Sequence, residues 1–232
     1  MPNILITGAN RGIGLELTRQ YAADGWSVFA CCRSPENAYD LNKLAAKAKG
    51  AIQLCVLDVN NDAQRAALAA QLRSLPIDIL LNNAGVLKRW DNQSFGVTQT
   101  DDWLDVMRTN VIAPMHIMET FAANVALSER KIIANVSSRM GSIADNGSGG
   151  FYVYRSSKAA LNMVTMSAAR DLAAQGISVV ALHPGWVRTD MGGEDGELSV
   201  EESASALRRN LAAVSIADSG RFIDITGETL PW

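Results

Sequence analysis

The chain has 232 residues, of which 48% are hydrophobic and 19% charged, and its formal net charge is −3. These values are ordinary for a globular protein, and the length suits one α/β domain with a continuous core. The charge balance gives no sign of nucleic-acid binding or of a basic membrane-binding surface. No window approaches 18 uncharged apolar residues, so we expect no membrane-spanning helix.

The N-terminus and the cysteines indicate a cytoplasmic protein. The sequence enters an apolar run directly after Met1-Pro2, without the basic region and cleavage site of a secretory leader. Cys31 and Cys32 would point to opposite faces of a strand, and we predict that both, with Cys55, are reduced and buried. Only two histidines occur, neither near a cysteine in sequence, so no metal site is expected.

Short apolar runs alternate with longer periodic segments along the chain. The runs lack polar alternation, which predicts strands buried on both faces of a parallel sheet. They span residues 3–7, 27–32, 51–58, 77–82, 131–136, 177–182 and 221–224. The predicted helices span residues 12–23, 36–48, 62–72, 101–127, 151–174 and 199–213. This alternation predicts right-handed crossovers and a doubly wound α/β sheet in a single domain, residues 1–232.

Two loops are longer than a tight fold requires, residues 139–150 and residues 185–198. Both follow the carboxyl ends of predicted strands, where ligands bind in open α/β sheets.

Helix starts are marked by capping-box spacing in two places, Asn61 with Gln64 and Ser199 with Glu202.

A glycine-rich turn joins the first predicted strand to the first helix. Glycines let the backbone approach a pyrophosphate, and a helix N-terminus presents free N–H groups to an anion. The turn therefore predicts a dinucleotide site. Its candidate binding residues are Thr7, Gly8, Asn10, Arg11, Gly12, Ile13 and Gly14.

The end of the second strand favours NADP(H) over NAD(H). NAD sites usually have an acidic residue here for the ribose hydroxyls, whereas this chain has Cys32, Arg33 and Ser34. A guanidinium pairs with the additional phosphate of NADP through charge-assisted hydrogen bonds. Arg11, in the glycine-rich turn, could reach the same phosphate.

Two further strand ends are candidate cofactor contacts. Asp58 and Val59 follow the third strand, where they can hold the adenine. Asn83, Ala84 and Gly85 follow the fourth strand and can pack against the cofactor.

Tyr154 and Lys158 lie four residues apart in a predicted helix and therefore share one face. A phenol and a cation on one face can serve proton transfer to a carbonyl oxygen. The spacing alone is weak evidence, because Tyr39 and Lys43 repeat it. That second pair follows the second strand on the adenine side, so we interpret it as surface residues.

In these features the chain resembles the short-chain dehydrogenase/reductase family over essentially its whole length. Within the family it is similar to the C-factor and sniffer-like carbonyl reductase branch. The resemblance implies a Rossmann-type, seven-stranded parallel sheet and hydride transfer between a nicotinamide and a carbonyl carbon. The matching motifs are Thr7–Gly14, Asp58, residues 82–85, Asn110, residues 135–138, Tyr154 with Lys158, and Pro184-Gly185.

The resemblance assigns four catalytic roles. Tyr154 would be the acid in reduction and the base in oxidation, and its phenol, of pKa about 10, is a poor base at neutral pH. The ammonium of Lys158 and an oxidised nicotinamide would lower that pKa, and Lys158 could also hold the ribose hydroxyls. Ser138 would hydrogen-bond the substrate oxygen. Asn110 would complete a proton relay, four residues before Pro114, which cannot donate to its carbonyl.

The assignment of the serine has a competitor. Ser138 precedes Tyr154 by sixteen residues, more than is common in the family, and Ser142 precedes it by twelve. We prefer Ser138 because it sits where the fifth strand ends.

The remaining expectations also come from the resemblance. Pro184, Gly185, Val187 and Thr189 match positions that contact the nicotinamide carboxamide, and the loop of about residues 185–198 would close over substrate. The helices at 101–127 and 151–174 are those that the family pairs across a two-fold axis, which implies a homodimer.

The sequence thus predicts an NADPH-dependent reductase of small or medium ketones or aldehydes. Two alternatives remain open. One is an NAD-preferring alcohol dehydrogenase. The other is a non-catalytic nucleotide-binding signalling protein like C-factor.

Overall fold

The computed structural model describes residues 1–88 and 90–232. Within these residues, seven parallel strands form one sheet in the order β3-β2-β1-β4-β5-β6-β7. The predicted doubly wound α/β fold is therefore confirmed. The strands are β1 Asn3–Thr7, β2 Ser27–Cys32, β3 Ile52–Val56, β4 Ile79–Asn82, β5 Ile132–Val136, β6 Ser178–Leu182 and β7 Phe222–Ile223. The α-helices are α1 Gly12–Ala23, α2 Tyr39–Lys47, α3 Asp62–Gln71, α4 Thr100–Met107, α5 Ala113–Ala126, α6 Tyr152–Asp171 and α7 Val200–Ala213.

The sheet carries a hydrophobic core on each face, which explains why its strands read as unbroken apolar runs. One core holds residues from α1, α2 and α7, and the other holds residues from α3, α5 and α6. Cys32 belongs to the first core, whereas Cys31 and Cys55 belong to the second, so the adjacent cysteines do face opposite sides. All three are buried free thiols.

The predicted helix at 101–127 is two α-helices joined by a π-helical turn, Arg108–Ile112. Pro114 cannot donate to the carbonyl of Asn110, so the regular ladder is interrupted at this point. Such wide turns place a residue where a continuous α-helix would not. Here that residue is Asn110, which is 1% exposed.

Several other predicted elements are shorter in the structure, among them the second helix and the last strand. The segment 36–48 begins as a 3-10 turn at Pro35–Asn37, and α2 starts only at Tyr39. The last strand contains two residues rather than four. Of the helices in the described ranges, none is long and apolar enough to cross a bilayer.

The two capping-box spacings have different outcomes. Ser199 and Glu202 form the complete reciprocal box at the start of α7. Asn61 accepts the amide of Gln64 at the start of α3, but the Gln64 side chain accepts the amide of Asp58 at 2.6 Å. Gln64 therefore holds the chain just beyond β3, at the edge of the sheet where ligands bind.

Candidate active site

A cleft of about 510 Å³ opens along the carboxyl edge of the sheet. It runs from the turn after β1 to the N-terminal part of α6 and the loop after β6. Most of the residues predicted to bind a cofactor line it. These are Gly8, Asn10, Arg11, Gly12, Ile13, Gly14, Arg33, Asp58, Val59, Asn83, Ala84, Gly85, Tyr154, Lys158, Pro184 and Thr189.

A second cavity, of about 480 Å³, adjoins the ends of β2 and β3. Arg33 and Ser34 contribute to its wall, beside Asn10 and Asp58. The other residues of this wall are not among the predicted site residues, namely Asn37, Ala38, Asn61 and Gln64. The sequence predicts a capping role for Asn61 and Gln64, and both also follow the end of β3.

The glycine-rich turn is held against the end of β4. The Thr7 hydroxyl accepts the amides of Asn83 and Ala84, each at 3.0 Å. The Asn83 side chain donates back to the carbonyls of Thr7 and Gly8. A Cβ at Gly14 would lie 2.2 Å from the Gly8 carbonyl oxygen, so only glycine lets α1 begin this close to the turn.

Arg11 pairs across the mouth of the cleft with Asp190. Its Nη1 lies 2.5 Å from Asp190 Oδ2, and both side chains are largely exposed. The ion pair links the glycine-rich turn to the loop after β6. Arg33, rather than Arg11, therefore faces the cavity beside Ser34 in this structure.

Lys158 is almost completely buried, at 4% exposure. Its Nζ donates to the carbonyl of Val136 at 2.9 Å, at the end of β5. Nζ also lies 5.6 Å from the centre of the Tyr154 ring. Burial lowers the pKa of Lys158 to about 8, because the charged ammonium loses its water.

Burial has the opposite effect on Tyr154. It raises the pKa of the phenol to about 12, and a hydrogen bond from Ser138 lowers it in part. The predicted lowering by Lys158 does not contribute in the protein alone, where burial dominates and Ser138 gives the only opposing effect. At neutral pH the phenol keeps its proton, which is the form that a general acid needs.

Ser138 is the serine that the structure brings to Tyr154. Ser142 is occupied elsewhere, since its hydroxyl donates to the carbonyl of Trp232 and accepts the amide of Asp145. The Trp232 carbonyl also accepts the amide of Ile143, at 2.6 Å. Ser142 thus ties the long loop to the last segment of the chain.

The π-helical turn places Asn110 behind the cleft wall, where it contacts Val86, a residue that lines the cleft. Its side-chain oxygen accepts the Val86 amide at 2.8 Å, and its side-chain nitrogen donates to the Val86 carbonyl at 2.9 Å. The same nitrogen donates to the hydroxyl of Ser157 on α6. A Cβ at Gly85 would lie 3.4 Å from Asn110 Oδ1 and 3.6 Å from Lys158 Nζ. Both side chains therefore approach the same point beside Gly85.

The turn that carries Ser138 packs directly on α6. A Cβ at Gly141 would lie 2.7 Å from the carbonyl carbon of Lys158 and 2.8 Å from its Cβ. The Ser137 hydroxyl donates to Asn162 on α6, and Asn162 donates to the Gly141 carbonyl. This contact fixes the distance between the end of β5 and the helix that bears Tyr154 and Lys158.

The other residues predicted from the loop after β6 have packing roles. A Cβ at Gly185 would lie 2.5 Å from Leu198 Cδ1, and its φ of +81° favours glycine. Val187 is buried and pairs with Leu198. His183 accepts the amide of Arg139 through Nδ1, and burial lowers its pKa to about 4, so it is neutral.

Several further residues line the cleft. Arg188, Asp190 and Met191 belong to the predicted substrate loop of residues 185–198, and Val136 and Ser137 belong to the matching motif at residues 135–138. The remaining ones had not been predicted as contacts. They are Cys32, Leu57, Asn60, Val86, Thr109 and Val200.

Comparison with known proteins accounts for this arrangement. Residues 2–198 match the short chain dehydrogenase family. The chain belongs to the short-chain dehydrogenase/reductase family. It thereby belongs to a family of oxidoreductases that bind a nicotinamide cofactor.

Individual relatives confirm the predicted branch. C-signal of Myxococcus xanthus is 39% identical over 166 residues, which cover 72% of this chain and 99% of that protein. The carbonyl reductase Sniffer of D. melanogaster superposes with a TM-score of 0.92 at 32% identity, over all of both chains. An NADPH-bound carbonyl reductase from chicken fatty liver superposes with a TM-score of 0.91 at 34% identity, covering 100% of this chain and 99% of that one.

The lowered pKa of Lys158 predicts a pH-dependent stability. Between about pH 8 and 10 the folded protein releases the Lys158 proton while the unfolded chain retains it, so the Lys158 contribution to the free energy of unfolding should rise with pH. The raised pKa values of Cys31, Tyr21 and Tyr154 act in the opposite direction, so the Lys158 contribution is obtained from the difference between wild type and a Lys158 variant. The rise should be roughly 2 kcal/mol, at 1.36 kcal/mol for each pKa unit. Below pH 8 Lys158 is charged in both the folded and the unfolded state, so burial of the charge lowers the free energy of unfolding by its full amount.

Denaturant unfolding of the cofactor-free protein at several pH values measures this effect. The free-energy difference between wild type and Lys158→Met should change by this amount between pH 8 and 10, whereas the difference between wild type and Lys43→Met, at an exposed side chain, should stay constant. Parallel curves for wild type and Lys158→Met would show that the buried ammonium does not titrate in this range.

The close approach of Gly141 to α6 predicts a steric effect on stability. We expect Gly141→Ala to lower the free energy of unfolding by about 1–3 kcal/mol, the usual cost of overpacking. Gly147, in the same loop, has open space around its Cβ position, so Gly147→Ala should stay within about 0.5 kcal/mol. Equal unfolding midpoints for the two variants would contradict the packing described here.

Proposed function

We propose that the protein is an NADPH-dependent carbonyl reductase that acts on small or medium ketones or aldehydes. The observation that carries the proposal is the pair of half-buried Tyr154 and buried Lys158, which lines the same cleft as the glycine-rich turn. A cofactor bound along this cleft would have its pyrophosphate at the N-terminus of α1. Its nicotinamide end would then lie beside Tyr154.

The residues of the cleft fit a nicotinamide dinucleotide. Gly12 and Gly14 line the cleft at the N-terminus of α1, where the pyrophosphate would bind, and the ammonium of Lys158 suits the ribose hydroxyls. Pro184 and Thr189 lie on the side where the nicotinamide carboxamide would bind. When bound, the cofactor supplies the hydride.

The protein's own groups would move the proton. Tyr154 would donate its phenolic proton to the carbonyl oxygen as negative charge develops there, and Ser138 would hydrogen-bond the same oxygen. Lys158 would then stabilise the phenolate that remains. Asn110, bonded to Val86 and beside Lys158, would maintain the route by which the proton is replaced.

The preference for NADPH is supported by the cavity beside β2. Its wall carries the guanidinium of Arg33 and the hydroxyl of Ser34, both suited to a phosphate. The solved carbonyl reductase from chicken is described as NADPH-bound.

The loop at residues 185–198 is proposed to cover the substrate. The cytoplasmic location and the homodimer stay predictions.

A second candidate is favoured by the 39% identity to C-signal. In this reading the protein binds a nucleotide and signals without turnover. Tyr154 and Lys158 would then have no chemical task, although Lys158 is buried and lies against the Tyr154 ring. The first candidate explains these residues, so we prefer it.

Replacing the phenol tests the proposed chemistry. Tyr154→Phe should lower kcat for reduction by about 10²–10⁴-fold, the usual contribution of a positioned acid, while the Kd for NADPH is retained. Activity is measured with NADPH on a panel of ketones and aldehydes. The matched control is Tyr39→Phe at the exposed pair, which should behave as wild type. Full activity in Tyr154→Phe would refute the mechanism.

Removing the guanidinium tests the cofactor preference. Arg33→Ala should raise the Kd for NADPH by about 10–100-fold, since a charge-assisted hydrogen bond is lost, and should leave the Kd for NADH nearly unchanged. Arg73→Ala, at an exposed site after α3, is the control. Wild-type protein that prefers NADH would instead indicate the NAD-dependent alternative.

A further inference from the structure

The first turn of α6 is capped by a residue from a distant segment. Helices begin with amides that have no acceptor within the helix. Here the amide of Tyr152 donates to the carbonyl of Gln93, and the amide of Tyr154 donates to Gln93 Oε1, both at 3.0 Å. Phe151 occupies the N-cap position with a left-handed backbone, φ 50°, and its side chain carries no oxygen that could replace this acceptor.

Gln93 is itself held firmly. The residue is 1% exposed, and a buried amide side chain requires hydrogen-bond partners. Its Nε2 donates to the carbonyl of Lys88 at 3.4 Å. The Lys88 ammonium in turn lies 2.9 Å from Asp105 on α4. Gln93 therefore connects α6 to a loop that is anchored on another helix.

The same loop is bonded to the cleft at its other end. It leaves β4 through Gly85, and the backbone of Val86 is bonded to Asn110 through two hydrogen bonds. Asn110 thus fixes the beginning of the loop, and Gln93 fixes its far end against the backbone of Tyr154. A shift of this loop would move the phenol relative to the rest of the site.

We propose that Gln93 is a positioning residue for the reaction, acting through the backbone of Tyr154. The inference rests on the proposed function. Displacement of a reacting group by about 1 Å can lower a rate by about 100-fold. Gln93 contacts neither cofactor nor substrate in this scheme, so its loss should change the chemical step and leave cofactor binding intact.

Two variants separate the acceptor from the bulk of the side chain. Gln93→Met retains the length and removes the acceptor, and it should lower kcat by about 10–100-fold with the Kd for NADPH unchanged. Gln93→Glu retains an oxygen that can accept the Tyr154 amide, next to a helix N-terminus that favours an anion, and should keep most of the activity. Gln175→Ala, exposed just beyond the other end of α6, is the control.

Hydrogen exchange supplies a readout that does not depend on turnover. Amides in the peptide 151–158 should exchange faster in Gln93→Met than in wild type, Gln93→Glu or Gln175→Ala. Faster exchange with unchanged kcat would make Gln93 a purely structural cap and overturn the proposal. Unchanged exchange and unchanged kcat in Gln93→Met would overturn it as well.

The outcomes also separate this inference from the proposed function. A wild-type protein that reduces no compound of the panel would refute the proposed function and the catalytic part of this inference together. An active wild type with an equally active Gln93→Met refutes only the role of Gln93. If Gln93→Met does not fold, Gln93→Glu decides: in folded Gln93→Glu, faster exchange with unchanged kcat, or retained exchange protection with lost kcat, overturns the proposal.

Discussion

The hydrogen bond from the buried ammonium of Lys158 to the carbonyl of Val136 is the contact on which the site depends. A charge placed among apolar residues is costly unless it is bonded. This hydrogen bond gives the ammonium one acceptor in place of the water it has lost. It also joins α6 to the end of β5. The neighbouring turn can then pack on α6 without a side chain at Gly141, which brings Ser138 to Tyr154.

Features that depend on nearby residues in the sequence were predictable. Apolar runs and helical periodicity gave the order of strands and helices, because burial on both faces of a parallel sheet leaves a clear pattern. The two Tyr–Lys spacings show the limit of such patterns. Lys43 lies 6.0 Å from the Tyr39 ring, and Lys158 lies 5.6 Å from the Tyr154 ring. Local geometry is nearly the same, and only burial by distant strands distinguishes the pairs.

Features that depend on distant contacts could not be read from the sequence. The ion pair between Arg11 and Asp190 joins residues that are 179 positions apart, so no local sequence pattern predicts it. The π-helical turn inside the predicted helix at 101–127 could not be predicted, because the spacing of apolar residues scarcely changes over its five residues. Gln93 belongs to no recognised motif, and its importance arises only where its loop meets α6. The raised pKa of Tyr154 likewise reflects burial, which spacing does not reveal.

The Arg11–Asp190 bridge has a consequence for how fast the cleft can exchange its contents. Both side chains are largely exposed, and an exposed ion pair contributes about 0–1 kcal/mol. Since about 1.4 kcal/mol corresponds to a factor of ten, molecules with the ion pair formed outnumber those without it by about fivefold at most. The ion pair is therefore broken in a sizeable fraction of molecules at any moment, and rising ionic strength should break it more often. The pair by itself thus adds little to the barrier for a ligand that enters or leaves the cleft.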